Sequence, residues 1–228
     1  MTCAKSGCTS TAYHFYYAIK NSRTLPIGLG WCDFRSLGEQ FLGQGEELER
    51  VRYFTTEVTW ELPGREGEKR RQRNWLDALE SIQGLNVIAG RFSKPDDKPR
   101  EEKWTDVNIA IELLLDAADS SYDRAFLLTG DSDLAPAARA VPERIASPKS
   151  VTVLLPPEQS QGLWQEYCGR FGISISCKPI SERHLLRSIL PYRLRVDGRT
   201  EEIWEGWRLP DEYLKKIPAE IRPDRRSR

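Results

Sequence analysis

The sequence predicts an α/β fold built on a mainly parallel β-sheet. Three observations carry that expectation. Strand-length runs of β-branched and aromatic residues alternate with helix-length segments, the order that βαβ units produce. The apolar runs at 124–130 (RAFLLTG) and 150–155 (SVTVLL) are continuous rather than alternating, as in strands covered on both faces. Residues 106–118 (DVNIAIELLLDAA) are apolar almost all round a helix, which predicts a largely buried element.

The elements follow in order. Gly28, Leu29 and Gly30 read as a turn before Trp31, and Asp33 as the cap of a helix over 34–42. Residues 49–58 (ERVRYFTTEV) are β-branched and aromatic, hence a strand. Residues 65–81 begin charged and then place Trp75, Leu76, Leu79 and Ile82 at helical spacing, with Gly84 as a C-terminal stop. A strand over 85–92 follows, then a polar loop with two prolines over 93–103. Thr105 reads as the N-cap of the apolar helix. A helix over 131–141 tolerates Pro136 only in its first turn. Residues 158–171 read as a helix, 172–177 as a short strand and 181–189 as a last helix. His184 falls inside that helix as a surface or packing residue.

The 228 residues suffice for one sizeable core, expected over 1–190. Residues 191–228 are expected to be an extension packed onto it, with a strand and turn near Asp197–Gly198, tryptophans 204 and 207 as anchors, and a basic tail. A hydrophobic fraction of 39% against 30% charged residues excludes a disordered chain. No apolar run approaches the ~20 residues of a membrane span, and residues 1–10 lack the apolar core of a secretory signal. A cytoplasmic protein with no membrane partner is expected. Five cysteines without C-x-x-C spacing argue against a disulfide framework and a zinc ribbon. With 34 basic and 34 acidic residues, net charge gives nucleic-acid binding no support, so only local patches at 65–73 (REGEKRRQR) and 222–228 (RPDRRSR) bear on it.

The chemistry concentrates at Thr129-Gly130-Asp131-Ser132-Asp133, just after a predicted strand. In parallel sheets ligands collect at the carboxyl ends of strands. Two carboxylates turned into one crevice repel and need a counter-ion, for which Mg²⁺ or Mn²⁺ is the usual choice. Asp106, in the first turn of the apolar helix, is the third acid, although the helix dipole alone would favour it there. Read singly, Asp106 and Asp133 are better explained as helix-terminal residues than as ligands, whereas read together at one strand end the acids favour a metal site. Neither His14 nor His184 has metal-motif spacing, and the chain has no G-x-S-x-G elbow, Walker A loop or dinucleotide fingerprint.

Several segments together resemble a bacterial NYN-domain protein, of the LabA-like branch of the PIN-like nuclease superfamily. They are 15–20 (FYYAIK), 51–55 (VRYFT), 71–91 (RQRNWLDALESIQGLNVIAGR), 102–118 (EKWTDVNIAIELLLDAA), 122–138 (YDRAFLLTGDSDLAPAA) and 151–157 (VTVLLPP), with DGR and GW at 197–207. The resemblance implies a Rossmann-like three-layer sandwich and metal-dependent hydrolysis of RNA. It assigns Asp106, Asp131 and Asp133 as catalytic, metal-binding carboxylates for Mg²⁺ or Mn²⁺. Thr129, Ser132, Asn108 and Thr11 become supporting groups. Arg70, Arg71 and Arg73 are candidates for the RNA backbone, single-stranded or structured, with Arg71 preferred because it opens the RQ-x-x-W-L segment. A homodimer or a protein partner is compatible with this reading.

The chain departs from the family pattern at one place. The family's first strand ends in an Asp-Gly-x-Asn segment, and here Thr11-Ala12-Tyr13-His14 stands there. Thr11 replaces the acid and His14 the asparagine. Residues 2–10 also lack the apolar run of a central strand, so the first strand is expected to be degenerate or displaced near 1–12. A hydroxyl is a poorer partner than a carboxylate for a hard dication. Two readings follow: a metal-dependent endoribonuclease, or a weakened module that keeps the fold and binds RNA or a protein. A metal-dependent phosphatase ranks last, because its D-x-D follows the first strand rather than a late one. The cysteine-rich insert common in the family is absent from 93–100, so no zinc is expected.

Overall fold

A computed structural model describes residues 4–58, 66–92, 102–145, 148–196 and 198–223. The chain forms β1 (Ala4–Thr11), α1 (Ala12–Lys20), α2 (Phe34–Glu39), β2 (Glu46–Thr56), α3 (Glu68–Glu80), β3 (Leu85–Phe92), β4 (Glu102–Lys103), α4 (Thr105–Ala118), β5 (Arg124–Leu128), α5 (Ala135–Arg144), β6 (Ser150–Leu155), α6 (Gly162–Phe171), β7 (Ser176–Pro179) and α7 (Glu182–Leu186). The extension adds β8 (Arg193–Val196), β9 (Arg199–Glu202) and α8 (Asp211–Leu214). Seven strands make the main sheet in the order β4-β3-β2-β1-β5-β6-β7. All its pairings are parallel except the short edge strand β4, antiparallel to β3. The mainly parallel α/β sandwich expected from the sequence is the observed fold.

Helices cover both faces, giving three layers with two cores. Successive residues of β5 point opposite ways, as strand geometry requires: Phe126 and Leu128 join the core under α1, α2 and α3, while Ala125 and Leu127 join the core under α4, α5 and α6. This explains why 124–128 had to be apolar without alternation.

β1 lies at the centre, paired with β2 from Ala4↔Glu46 to Thr11↔Phe54, with a register shift between Ser6 and Gly7, and with β5 from Ser6↔Arg124 to Ser10↔Leu128. β1 thus takes the central position despite its polar sequence. Its ladder is completed on both sides by strands that supply the apolar residues, and this context outweighs its weak strand propensity.

Four local expectations are corrected. The α4 helix is not buried all round: Thr105, Ile109, Leu113 and Ala117 face the core, while Val107, Ile111 and Leu115 are 59%, 48% and 53% exposed. Thr105 is its first helical residue rather than its cap. The preceding Trp104 takes a left-handed φ of 76° and accepts no capping hydrogen bond on its side chain, and the Thr105 hydroxyl lies 3.4 Å from that of Thr56 at the end of β2. α3 ends at Glu80 with Ser81 as its cap, and Gly84 instead takes φ +77° in the turn into β3. The polar loop expected over 93–103 falls mostly outside the described residues, and β4 occupies its end. Asp33 caps α2 through Arg35 N and Ser36 N, at 2.8 and 3.1 Å, so it does not serve the strand-end crevice. His184 packs 4.7 Å from the Phe41 ring and closes a capping box with Ser181. Burial, with Arg183 and Arg187 alongside, pushes its pKa below the usual histidine value.

Ile203, Leu209, Leu214 and Ile217 of the extension are buried in the first core. The Trp207 ring lies 5.9 Å from Tyr16 and 6.2 Å from Trp75. Gly28 is what lets the chain come this close: a Cβ there would run into the Trp207 carbonyl and meet Leu209 at 3.0 Å. Gly28→Ala is expected to cost about 1–3 kcal/mol, as overpacking does, and to speed proteolysis within 199–223. Urea melts and timed proteolysis check both. The tail at 224–228 lies outside the described residues.

Candidate active site at the carboxyl edge of the sheet

Parallel β1, β2 and β5 all end at one edge of the sheet. A helix that leaves such a strand begins at that edge, and one that leads into it also begins there. Thr11, His14, Asp106 and the loop 129–133 therefore share one rim. β1 and β5 are neighbours, but α1 covers one face and α5 the other. Their junction is a topological switch point, where open α/β sheets form a ligand crevice.

The local bonding at this point is dense. Thr129 is fully buried, and its hydroxyl lies 3.2 Å from His14 Nδ1 and accepts a hydrogen bond from Asp131 N at 3.0 Å. Asp131 Oδ1 accepts from Asp133 N at 2.8 Å, capping the 3-10 turn Ser132–Leu134. Asp131, not Asp133, is thus the capping aspartate, and Pro136 sits in the first turn of α5 as its fixed φ requires. Asp131 Oδ2 is 3.8 Å from His14 Nε2. His14 therefore bridges the ends of β1 and β5, and when protonated it is a counter-charge for Asp131.

Asp133 and Asp106 are exposed, whereas Ser132 and Asn108 are half-buried. The structure brings Thr129, Asp131, Ser132 and Asp133 into one loop but does not draw Asp106 in with Asp131 and Asp133. Among the described residues, no three His, Cys, Asp or Glu side chains converge closely enough to hold one ion. The donor set therefore does not fit Mg²⁺ or Mn²⁺ as an assembled centre. Of the proposed supports, Thr11 closes β1 in register with Phe54.

Beside this loop opens a cleft of about 490 Å³, walled by His14, Tyr17 and Asn21 from the α1 side and by Asp131, Glu158 and Gln159 from the strand ends. The sequence reading singled out only His14 and Asp131 of these. Glu158 holds a left-handed backbone at φ +62°, a strain of roughly 1–3 kcal/mol that functional sites tend to retain. Its carboxylate accepts hydrogen bonds from Ser22 Oγ and Thr24 Oγ1, each at 2.6 Å. Those hydroxyls, Ser22 first, hold its carboxyl below the usual range. The clasp is intact above that range and is lost as pH falls through the lowered value.

The three arginines differ. Arg70 is exposed. Arg71 lies with its guanidinium 4.8 Å from the Trp204 ring, itself 50% exposed. Arg73 is committed to Asp77, Glu57 and Glu80. Gln72 ties α3 to the end of β2 by accepting from Val58 N at 2.6 Å and donating to the Thr56 carbonyl at 2.8 Å. The N-terminus of α3, with Arg70 and Arg71, thus stands on the same rim as the acidic loop.

A three-layer, mainly parallel sandwich with its switch point between β1 and β5 fits the PIN-like class. Within it, the NYN domain profile matches residues 15–182, and the chain belongs to the NYN domain family. That family places it in the PIN-like nuclease superfamily. No curated protein matches the chain. Among solved structures, a protein of unknown function from Vibrio parahaemolyticus RIMD 2210633 is similar, with 17% identity, a TM-score of 0.54, and 78% of this chain and 94% of that chain covered. At that identity the likeness shows the fold alone.

Proposed function

We propose that this protein is an RNA-binding NYN module whose metal-dependent phosphodiester hydrolysis is weakened. The observation that carries this reading is the centre of the rim. β1 ends in Thr11 where the family pattern has an acid, and Asp131 is engaged by His14 and by Asp133 N. A hard dication takes oxygen ligands and favours carboxylates, so a sequence with a neutral residue at the end of β1, and with Asp131 engaged by His14, is the weaker site for it. The full ribonuclease reading, with Mg²⁺ or Mn²⁺ at Asp106, Asp131 and Asp133, keeps one observation in its favour: all three acids stand on one rim. RNA contact would come from Arg70 and Arg71, which supply phosphate affinity with little sequence choice. Arg73 is the weakest of the three candidates, because three carboxylates already neutralise it. Among the described residues no helix is long and apolar enough to cross a membrane.

The test is binding and cleavage of labelled single-stranded RNA with Mn²⁺, Mg²⁺ or EDTA, with Asp131→Asn alongside. The expected result is RNA binding under all three conditions, slow cleavage with metal only, and loss of that cleavage in Asp131→Asn. Fast, EDTA-resistant cleavage that survives the substitution would overturn the reading. So would the absence of RNA binding by folded protein.

A further inference from the structure

The cleft beside Asp131 has a composition that a phosphate site would not have. Its carboxylates, Asp131 and Glu158, both come from the strand-end wall, His14 faces them from the α1 side, and no lysine or arginine lines it. A phosphate entering there would face two carboxylates. A neutral, planar group would not. The remaining wall offers the half-buried Tyr17 ring and two carboxamides, Asn21 and Gln159. An aromatic face with adaptable amides at its margin is how proteins hold an unpaired base: the ring stacks and the amides meet the base edge. The volume, about 490 Å³, lies within the usual range for small-ligand sites.

Two further features fit. Tyr17 is set edge-on to Tyr16 at 5.2 Å and 81°, which holds its ring in place. Exposed Lys20 holds Nζ over the Tyr17 ring, 5.4 Å from its centroid, and its flexible stem lets the ammonium swing to the backbone of a bound strand when a base takes the ring. Gln159 rests against Gly130, where a Cβ would meet its side chain at 3.3 Å. The glycine thus makes room for the amide at the base of the cleft. The Glu158 clasp to Ser22 and Thr24 ties the loop after β6 to the loop after α1 and fixes the cleft's width.

We propose that this cleft takes one unpaired base of single-stranded RNA, stacked on Tyr17 and met at its edge by Asn21 and Gln159. The proposal rests on the RNA-binding reading above and adds to it where the base goes. It makes the protein a reader of single strands, since a paired base cannot leave the stack without cost.

The test measures binding of a labelled single-stranded RNA, the same RNA with an abasic residue at each position in turn, and an RNA duplex, by fluorescence anisotropy. The proteins are wild type, Tyr17→Ala, Tyr17→Phe and Gln159→Ala, each checked for folding by thermal melting. Tyr17→Ala is expected to weaken single-stranded binding by roughly 5- to 150-fold, the range one stacked base is worth, and Tyr17→Phe to retain it. One abasic position should reproduce the loss in the wild type and add nothing in Tyr17→Ala. Duplex binding should not respond to Tyr17. RNA binding insensitive both to Tyr17→Ala and to every abasic position would overturn the base pocket while leaving the RNA-binding reading standing. Absence of RNA binding by the folded wild type would overturn both.

Discussion

Thr11→Asp is expected to raise Mn²⁺-supported cleavage of single-stranded RNA by at least about tenfold, the smaller end of what even outer-shell partners of a metal contribute. Thr11 is the last residue of the central strand, and β1 pairs with β5 up to Ser10↔Leu128, so residue 11 stands directly beside the start of the loop that carries Asp131. A carboxylate added there places a second strand-end acid at the switch point and strengthens the local demand for a cation. His14→Asn, combined with it, removes the imidazole now 3.8 Å from Asp131 Oδ2, and the double variant should exceed the single one. The gain should vanish in EDTA and in the Thr11→Asp, Asp131→Asn combination. A folded Thr11→Asp protein that binds RNA and cleaves no faster than wild type would show that residue 11 does not limit hydrolysis at this edge.

Where the sequence was informative, the reason was burial. β5 and β6 read as continuous apolar runs because both faces are covered, and a strand that is apolar throughout announces its layer without any knowledge of its neighbours. The acidic loop was legible because glycine and aspartate cluster immediately after such a run. Elements stabilised by neighbours were not legible. β1 is polar from Lys5 to Thr11, and it is central only because β2 and β5 complete its ladder. The α4 pattern misled in the opposite direction: its apolar residues exceed what the core takes, and Val107, Ile111 and Leu115 are left outside. Thr105 has the chemistry of a cap, but the left-handed Trp104 ahead of it moves the helix start by one residue.

The cleft was the hardest feature to read, because its walls come from three places far apart in sequence. Tyr17 and Asn21 follow β1, Gly130 and Asp131 follow β5, and Glu158 and Gln159 follow β6. Gly130 and Asp131 belong to the acidic loop that the sequence announces, but none of the other four has a local pattern that marks it as ligand-facing. Only a positive φ at Glu158 would have been a signal, and backbone strain at a glutamate leaves no trace in the residue type.

Trp164 joins this edge to the core, and Trp164→Ala is expected to cost about 3–5 kcal/mol, the range for truncating a buried aromatic residue. The side chain is fully buried with Leu134, Ala138, Val153 and Leu155, so α6 is held to the sheet, and to the turn that follows Asp131, chiefly through one indole. For a chain of this size each kcal/mol lowers Tm by roughly 2–4 °C, which predicts a fall of roughly 6–20 °C by calorimetry. Trp164→Phe should cost clearly less. It keeps an aromatic ring in the site, and the lost Nε1–H has no acceptor among the described residues, so its removal leaves no broken hydrogen bond behind. Because the indole acts through packing, RNA affinity measured well below the variant's own Tm should match wild type. A Trp164→Ala protein with near-normal Tm would show that α6 is held by other contacts. One with normal stability and lost RNA binding would place the indole's role in the shape of the 132–134 turn rather than in the core.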